Sequence, residues 1–230
     1  MKRHIPNFIT LLNLACGFVA IIYIINGQFV TAAWLILLAM IFDFGDGFAA
    51  KMLKAYSEMG KELDSLADVV SFGVVPGLLI YSFAGEAYGL PVWVVVLISA
   101  LVPLAAALRL AKFNTDVNQK ETFSGLPTPA AALAVVSPVL AANYGTHAIF
   151  NALVDHPATW LITAVLLAVL MVSPFRLLSL KFSSLKLREN SARYILIILS
   201  VAALATIGIA GLVLIIPLYL LVSVTSQLIR

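Results

Sequence analysis

Apolar runs of about 20 residues, the length a helix needs to cross a bilayer, recur along the whole chain and constrain its fold more than any other feature. Only 11% of the 230 residues are charged and 62% are hydrophobic, whereas a soluble domain carries roughly a quarter charged residues. The mean hydropathy is +1.06. The chain therefore reads as all-α, a polytopic transmembrane helical bundle. Eight candidate spans are predicted, at about 8–26, 29–52, 62–84, 91–112, 127–145, 157–174, 192–209 and 211–228. Pro127, Pro129 and Pro138 make the fifth a candidate for kinking or re-entry. The last two are separated only by "GIAG" around Gly208 and Gly211. A tight hairpin is expected there, because one continuous helix would be nearly twice as long as the bilayer is thick.

Charge tests the eight-span reading. With both termini in the cytoplasm, all 14 Lys and Arg fall on the inside: Lys2, Arg3, Lys51, Lys54, Lys61, Arg109, Lys112, Lys120, Arg176, Lys181, Lys186, Arg188, Arg193 and Arg230. The outside loops, near "NGQ", "GEAYGLP", "NYGTHAIFNALVDHP" and "IAG", contain none. This is the positive-inside pattern. The net charge of +3 is thus a topology device with some attraction to membrane lipid headgroups, and it does not point to nucleic acid. "MKRHIPNF" is expected along the cytoplasmic interface, and "SLKFSSLKLRENS" as a solvated turn touching headgroups. The lone Cys16 cannot form an intrachain disulfide, which argues against redox chemistry. The first span lacks a small-residue cleavage pattern and is polar at Asn7, Thr10 and Asn13, so no cleavable signal peptide is expected. One membrane-embedded domain is predicted over 1–230, with a catalytic core at about 1–145 and C-terminal helices at about 157–228.

Against this apolar background, "DFGDGFAAKMLKAYSEMGKELDSLAD" places Asp43, Asp46, Asp64 and Asp68 inside or at the edge of spans. An intramembrane Asp costs about 2.5–3.5 kcal/mol even on a lenient insertion scale. Asp43, Asp46, Gly47 and Ala50 form an i, i+3, i+4, i+7 stripe, and Gly60, Asp64 and Asp68 repeat every four residues on the next helix. With a cytoplasmic turn near 52–60, Asp43 lies roughly 12 Å inside Lys51 and Asp68 roughly 10 Å inside Lys61. The four carboxylates thus reach similar depth in the inner leaflet. Such oxygen donors suit hard divalent cations, Mg²⁺ or Mn²⁺, shared with substrate phosphate. Two ions would cancel four charges. A transporter cation site is the rival reading, although such sites usually lie mid-bilayer.

The same residues carry a family resemblance. "DFGDGFAAK", eight residues, then "GKELDSLAD" resembles the CDP-alcohol phosphotransferase motif D-x-x-D-G-x-x-A-R, eight or nine residues, G-x-x-x-D-x-x-x-D. Asp43, Asp46, Gly47, Ala50, Gly60, Asp64 and Asp68 match, and Lys51 stands where the family has Arg. The resemblance implies a divalent-metal enzyme using one or two ions, in which an alcohol displaces CMP from a CDP-linked lipid. It implies Asp43, Asp46 and Asp64 as metal ligands, and Asp68 as both ligand and proton acceptor. Gly47, Ala50 and Gly60 would admit the nucleotide, and Lys51 would contact phosphate, without the two-pronged grip of Arg. Ser57 matches a hydroxyl that contacts nucleotide, and Asn7 and Thr10 match a polar lead-in to the first helix. A homodimer is implied by the resemblance alone.

Further motifs bear on the acceptor. "IPNFITLLNLACGF", "SFGVVPG" (71–77), "RLAKFN" (109–114) and "FSGLPTPAAA" (123–132) are similar to the bacterial, membrane-embedded phosphatidylserine synthases, over roughly the first 145 residues. This implies CDP-diacylglycerol and L-serine as substrates and a site facing the cytoplasm of a bacterial inner membrane. A serine carboxylate needs a fixed cation, and Arg109 is favoured over Lys112 because guanidinium binds carboxylate with two hydrogen bonds. Positive-inside anchoring accounts for both equally well. Asn114 has two readings, as a substrate partner or as a turn cap. "GLPTP" is expected to open a helix at Pro127, where free N–H groups suit an anion. Glycerol 3-phosphate or inositol phosphate as acceptor, and a divalent cation transporter, are the alternatives carried forward.

Overall fold

The computed structural model describes residues 4–85, 89–115, 125–175, 177–178 and 190–228. Every regular element among them is helical. In order these are α1 (His4–Ile25), α2 (Phe29–Leu53), α3 (Glu58–Asp68), α4 (Val75–Ala84), α5 (Val92–Thr115), α6 (Thr128–Tyr144), α7 (Ala148–Asp155), α8 (Pro157–Val172), α9 (Ser191–Ile207) and α10 (Leu212–Leu228). By length and composition, five stretches among the described residues qualify as membrane-crossing: His4–Ile25, Phe29–Leu53, Glu58–Ala84, Val92–Thr115 and Ser191–Gln227. The pair α7–α8, bent by 76°, adds a sixth as a broken span, and α6 is a shorter apolar helix of 17 residues.

Ser191–Gln227 is not one straight rod. Gly208 has φ +60°, a conformation that glycine adopts freely, and it opens a 3₁₀ turn, Gly208–Gly211. Gly211 then lies against the backbone of Ala203 and Leu204. Eight residues of straight helix would separate Gly211 from Ala203 by about 12 Å. The chain therefore reverses, and α9 packs on α10, as the "GIAG" glycines lead one to expect.

Between α3 and α4 runs a π-helical turn, Val69–Val74, that makes Glu58–Ala84 one continuous rod. The Val75 N–H donates to the Val70 carbonyl, five residues back. Pro76 explains the widening: its ring has no N–H to give and crowds the carbonyl of Phe72. Such turns concentrate at functional sites, and this one follows directly on Asp68. Small residues then fix the rod sideways. A side chain on Gly77 would meet the Ser99 carbonyl at 3.1 Å, and one on Gly73 would meet Ala106 at 3.1 Å, so α4 lies close on α5 as small-residue stripes allow in membranes. On the other flank Gly17 of α1 admits Ser71, whose hydroxyl donates to the Asn13 carbonyl at 3.0 Å. Phe72, Leu79, Ile80, Val102, Leu140 and Trp160 are buried between these helices, while Phe18, Phe44, Phe48 and Trp93 are exposed on the outside, where acyl chains would lie.

Two local expectations need correction. Residues 4–8 of "MKRHIPNF" do not run along an interface ahead of the first span; they are its first turns, since α1 begins at His4. Pro6 is at home there, because first-turn N–H groups have no helical partner to lose. The supposed outer loop "NYGTHAIFNALVDHP" contains helix α7, which buries Phe150 and Val154 one turn apart. The Trp160 indole N–H donates to the Val154 carbonyl at 2.8 Å and ties its end to α8. The fifth run is a continuous helix in spite of its prolines, with Pro129 in the first turn and Pro138 inside. Lys2, Arg3, Lys120, Arg176, Lys181, Lys186, Arg188 and Arg230, with most of "SLKFSSLKLRENS" and the start of "FSGLPTPAAA", lie outside the described residues.

Candidate active site

Two helix ends deliver the acids. At the end of α2, Lys54 adopts a left-handed conformation (φ +50°). The N–H of Ala55 reaches the Ala50 carbonyl at 2.9 Å and that of Lys54 the Lys51 carbonyl at 3.3 Å, which satisfies the last carbonyls in a Schellman arrangement. The chain then restarts at Ser57, whose hydroxyl accepts from the Gly60 N–H at 3.0 Å and caps α3, as serine does at helix N-termini. Helix α1 packs on both α2 and α3, whereas α2 and α3 scarcely touch one another along their backbones. The acids reach into the gap between them.

Carboxylate oxygens of Asp43, Asp64 and Asp68 lie within 4.8 Å of one another. Asp46 stands at the edge of this group. It is 6% exposed, and its Oδ2 accepts from the Thr10 hydroxyl at 2.5 Å. Asp68, also 6% exposed, is held from both sides. The Asn13 amide donates to its Oδ1 at 3.3 Å and the Thr128 hydroxyl lies 3.4 Å from its Oδ2. Asp64 Oδ1 is buried with no hydrogen-bond partner. Three carboxylates this close repel strongly without a countercharge, and an orphaned buried oxygen is costly. Both conditions are met by a hard divalent cation bound through oxygen. The donor set therefore fits such an ion.

The remaining candidates fall into three groups. Gly47 faces open space, with nothing near the position a side chain would take, which suits close approach by a ligand. Ala50 is half-buried and Lys51 exposed on the same end of α2. Gly60 and Ser57 have structural reasons of their own. A methyl on Gly60 would sit 3.0 Å from both Asn7 Oδ1 and Ser57 Oγ, so Asn7 marks a tight crossing of α1 over α3. Arg109 is half-buried, its Nε is buried without a partner, and its charge lies within electrostatic reach of Asp68. It lines a small cavity with Lys112, Phe113, Met171 and Ser173. Asn114 locks helices together. Its side chain donates to Ser65 Oγ at 2.9 Å and its carbonyl accepts from Lys61 Nζ at 2.8 Å, joining α5 to α3 rather than capping a turn.

Asn13, Thr128 and Ser65 are contacts that the motif reading missed. Each is a polar residue within or beside an apolar stretch, where an unpaired donor is expensive. That cost was the available signal, and it pointed to a partner without saying which. Thr128 is completely buried, as is Asn13. The Pro127–Thr128 helix start therefore touches the site through a hydroxyl on Asp68.

Known proteins are similar to this chain over long stretches. Over almost its entire length the chain is similar to the CDP-diacylglycerol--serine O-phosphatidyltransferase of Helicobacter pylori (strain ATCC 700392 / 26695), 34% identical over 231 residues, covering 97% of this chain and 90% of that protein. The Bacillus subtilis (strain 168) protein of the same name is 41% identical over 134 residues, 58% of this chain and 74% of the relative. An archaetidylserine synthase of Methanothermobacter thermautotrophicus is 37% identical over 142 residues, 61% of this chain and 59% of the relative. The family match runs from residue 3 to residue 172, through the acid cluster and on past α6 to the end of α8. An all-helical membrane protein with its acids gathered at one helix gap, the chain belongs to the CDP-alcohol phosphatidyltransferase family.

Proposed function

We propose that the protein transfers a phosphatidyl group from CDP-diacylglycerol to L-serine, giving phosphatidylserine and CMP. The observation that carries this reading is the convergence of Asp43, Asp64 and Asp68 within 4.8 Å in a chain whose relatives bear serine-transferase names. Asp43, Asp46, Asp64 and Asp68 would hold one or two Mg²⁺ or Mn²⁺ ions. When bound, the cation neutralises the diphosphate and the charge that develops on the departing CMP.

The chain's own residues supply the rest. The open face at Gly47 and Ala50 receives the nucleotide, Lys51 offers charge to phosphate, and Asn7, Ser57 and Gly60 border the same end. Asn13 and Thr128 aim the Asp68 carboxylate, which takes the proton of the serine hydroxyl. The hydroxyl oxygen bonds to the phosphorus bearing diacylglycerol, and the bond from that phosphorus to the oxygen retained by CMP breaks. A carboxylate is a weak base, so alignment contributes much of the acceleration. Arg109, with its free buried Nε, binds the serine carboxylate. Lys112 adds positive charge at the cavity, and Asn114 keeps α5 registered on α3.

Topology follows the same reading. The bundle crosses a bacterial inner membrane eight times as a single domain, with both termini and the acid cluster on the cytoplasmic side. In support, Lys51, Lys54 and Lys61 lie towards the acid-bearing ends of α2 and α3, and Arg109 and Lys112 lie towards the end of α5 that Asn114 ties to α3. Trp34 and Tyr144, hydrogen-bonded at 3.3 Å, lie near the opposite ends of α2 and α6, as an interfacial aromatic pair would. A homodimer completes the proposal. The deciding experiment incubates purified protein with CDP-diacylglycerol, Mg²⁺ or Mn²⁺, and one alcohol at a time, following CMP. Release is expected with serine; release with glycerol 3-phosphate or inositol phosphate instead would reassign the acceptor.

A further inference from the structure

Beyond the family match, which ends at residue 172, the C-terminal helix makes a polar clamp inside an apolar bundle. Tyr219 on α10 is 4% exposed and Ser223, one turn on, is fully buried. The Tyr219 hydroxyl donates to the Leu178 carbonyl at 3.0 Å, and the Leu178 N–H donates to Ser223 Oγ at 3.2 Å. The Ser223 hydroxyl in turn donates to the Tyr219 carbonyl at 2.6 Å. Both backbone groups of one residue in an irregular connection are thus satisfied by two side chains of one helix.

What the clamp holds is next to the site. Upstream of Leu178, the Phe175 carbonyl accepts from the Gly125 N–H and the Leu170 carbonyl from the Leu126 N–H, both at 2.9 Å. Two residues after Leu126 comes Thr128, beside Asp68. Met171, Val172 and Ser173 form the wall of the cavity lined by Arg109 and Lys112. The Arg109 guanidinium lies within electrostatic reach of Tyr219 as well as Asp68. Leu178, gripped by α10, thus lies three residues along the chain from Phe175, which is fastened to Gly125, and five from Ser173 of the wall facing Arg109.

We propose that α10 completes the acceptor pocket: Tyr219 and Ser223 are positioning residues that grip Leu178 and thereby fix the wall against which Arg109 receives the acceptor's carboxylate. The proposal rests on the reading of Arg109 given above. Neither residue touches substrate; both act through the Leu178 backbone.

The test is steady-state CMP release by the full-length protein, with serine varied at saturating CDP-diacylglycerol and then the reverse. Tyr219→Phe removes only the hydroxyl. A serine KM raised about two- to tenfold is expected, the range of one lost hydrogen bond, with kcat and the KM for CDP-diacylglycerol unchanged. Ser223→Ala gives the same split, and carries the test alone should Tyr219→Phe not fold. In an Arg109→Lys background Tyr219→Phe adds little further, because coupled residues are not additive. A serine KM unchanged in the folded variants, or a loss confined to kcat, overturns the proposal. Failure of the serine reading looks different, since it shows in the wild type as CMP release with another alcohol. The Tyr219→Phe comparison is then made on the KM of that alcohol, whose phosphate takes the place of the carboxylate at Arg109, with the same two outcomes.

Discussion

The acid cluster and the C-terminal clamp both order polar groups inside an apolar bundle, yet they are built from different material. The cluster is made of side chains: Asp43, Asp46, Asp64 and Asp68 with Thr10, Asn13 and Thr128 around them. The clamp sets two side chains on the peptide groups of Leu178, and the turn beside it joins the peptide groups of Phe175, Leu170, Gly125 and Leu126. Charge in a membrane is expensive wherever it stands, so a charged site announces itself in the sequence. A peptide group is present at every residue and announces nothing. In a bundle of this kind the charged groups are visible long before the framework packed around them.

The largest expected effect lies on the side-chain half. Asp68→Asn keeps the shape and the hydrogen bond from Asn13 but removes the proposed proton acceptor, and CMP release should fall by about 10²–10⁴-fold with the helical circular-dichroism signal unchanged. Normal turnover would displace Asp68 from its role. Next come the groups that aim the acids. Thr10→Val and Asn13→Ala should each lower activity or apparent cation affinity by about 10–100-fold, the usual effect of residues that orient ligands. A cation titration of CMP release reads both, and wild-type curves would reduce these contacts to packing.

The main-chain half predicts losses of stability rather than of chemistry. Gly125 has φ +75°, and a side chain there would run into the Met171 carbonyl. Gly125→Ala should therefore cost about 1–3 kcal/mol from backbone strain, read as a lower unfolding temperature in detergent with the serine KM also raised. An unchanged unfolding temperature would show that the turn is not fixed by Phe175 and Leu170. The smallest effect belongs to the far end of the bundle. Trp34→Phe removes an exposed hydrogen bond to Tyr144 and should shift stability by no more than about 1 kcal/mol, leaving CMP release unaltered. A fall in turnover would mean that the two ends are coupled.

This contrast also explains what could be read in advance. The helices of the first four spans followed from apolar length, and the reversal at Gly208–Gly211 from a run too long for one crossing. The acid stripes followed from the four-residue spacing of Gly60, Asp64 and Asp68. Helix α7 was missed because a two-turn helix anchored by Phe150 and Val154 carries too few periodic residues to stand out from a loop. The π turn was missed because its cause, Pro76, follows it in the chain and reads as an ordinary helix start. Asn114 was placed near the site but its partner was not, since only the packing of α5 on α3 brings Ser65 and Lys61 to it. The motif resemblance points Ser57 and Gly60 at the nucleotide, and they also shape the start of α3 and its crossing with α1.

The central claim is that the carboxylates gathered from α2 and α3 work through a bound divalent cation on a CDP-linked lipid. Stripping divalent cations from the purified protein, then following CMP from CDP-diacylglycerol and serine as Mg²⁺ or Mn²⁺ is restored, tests it most directly. The account predicts no release until the cation returns, and a higher cation requirement in Asp64→Asn. Full-rate release by the stripped wild-type protein would contradict it.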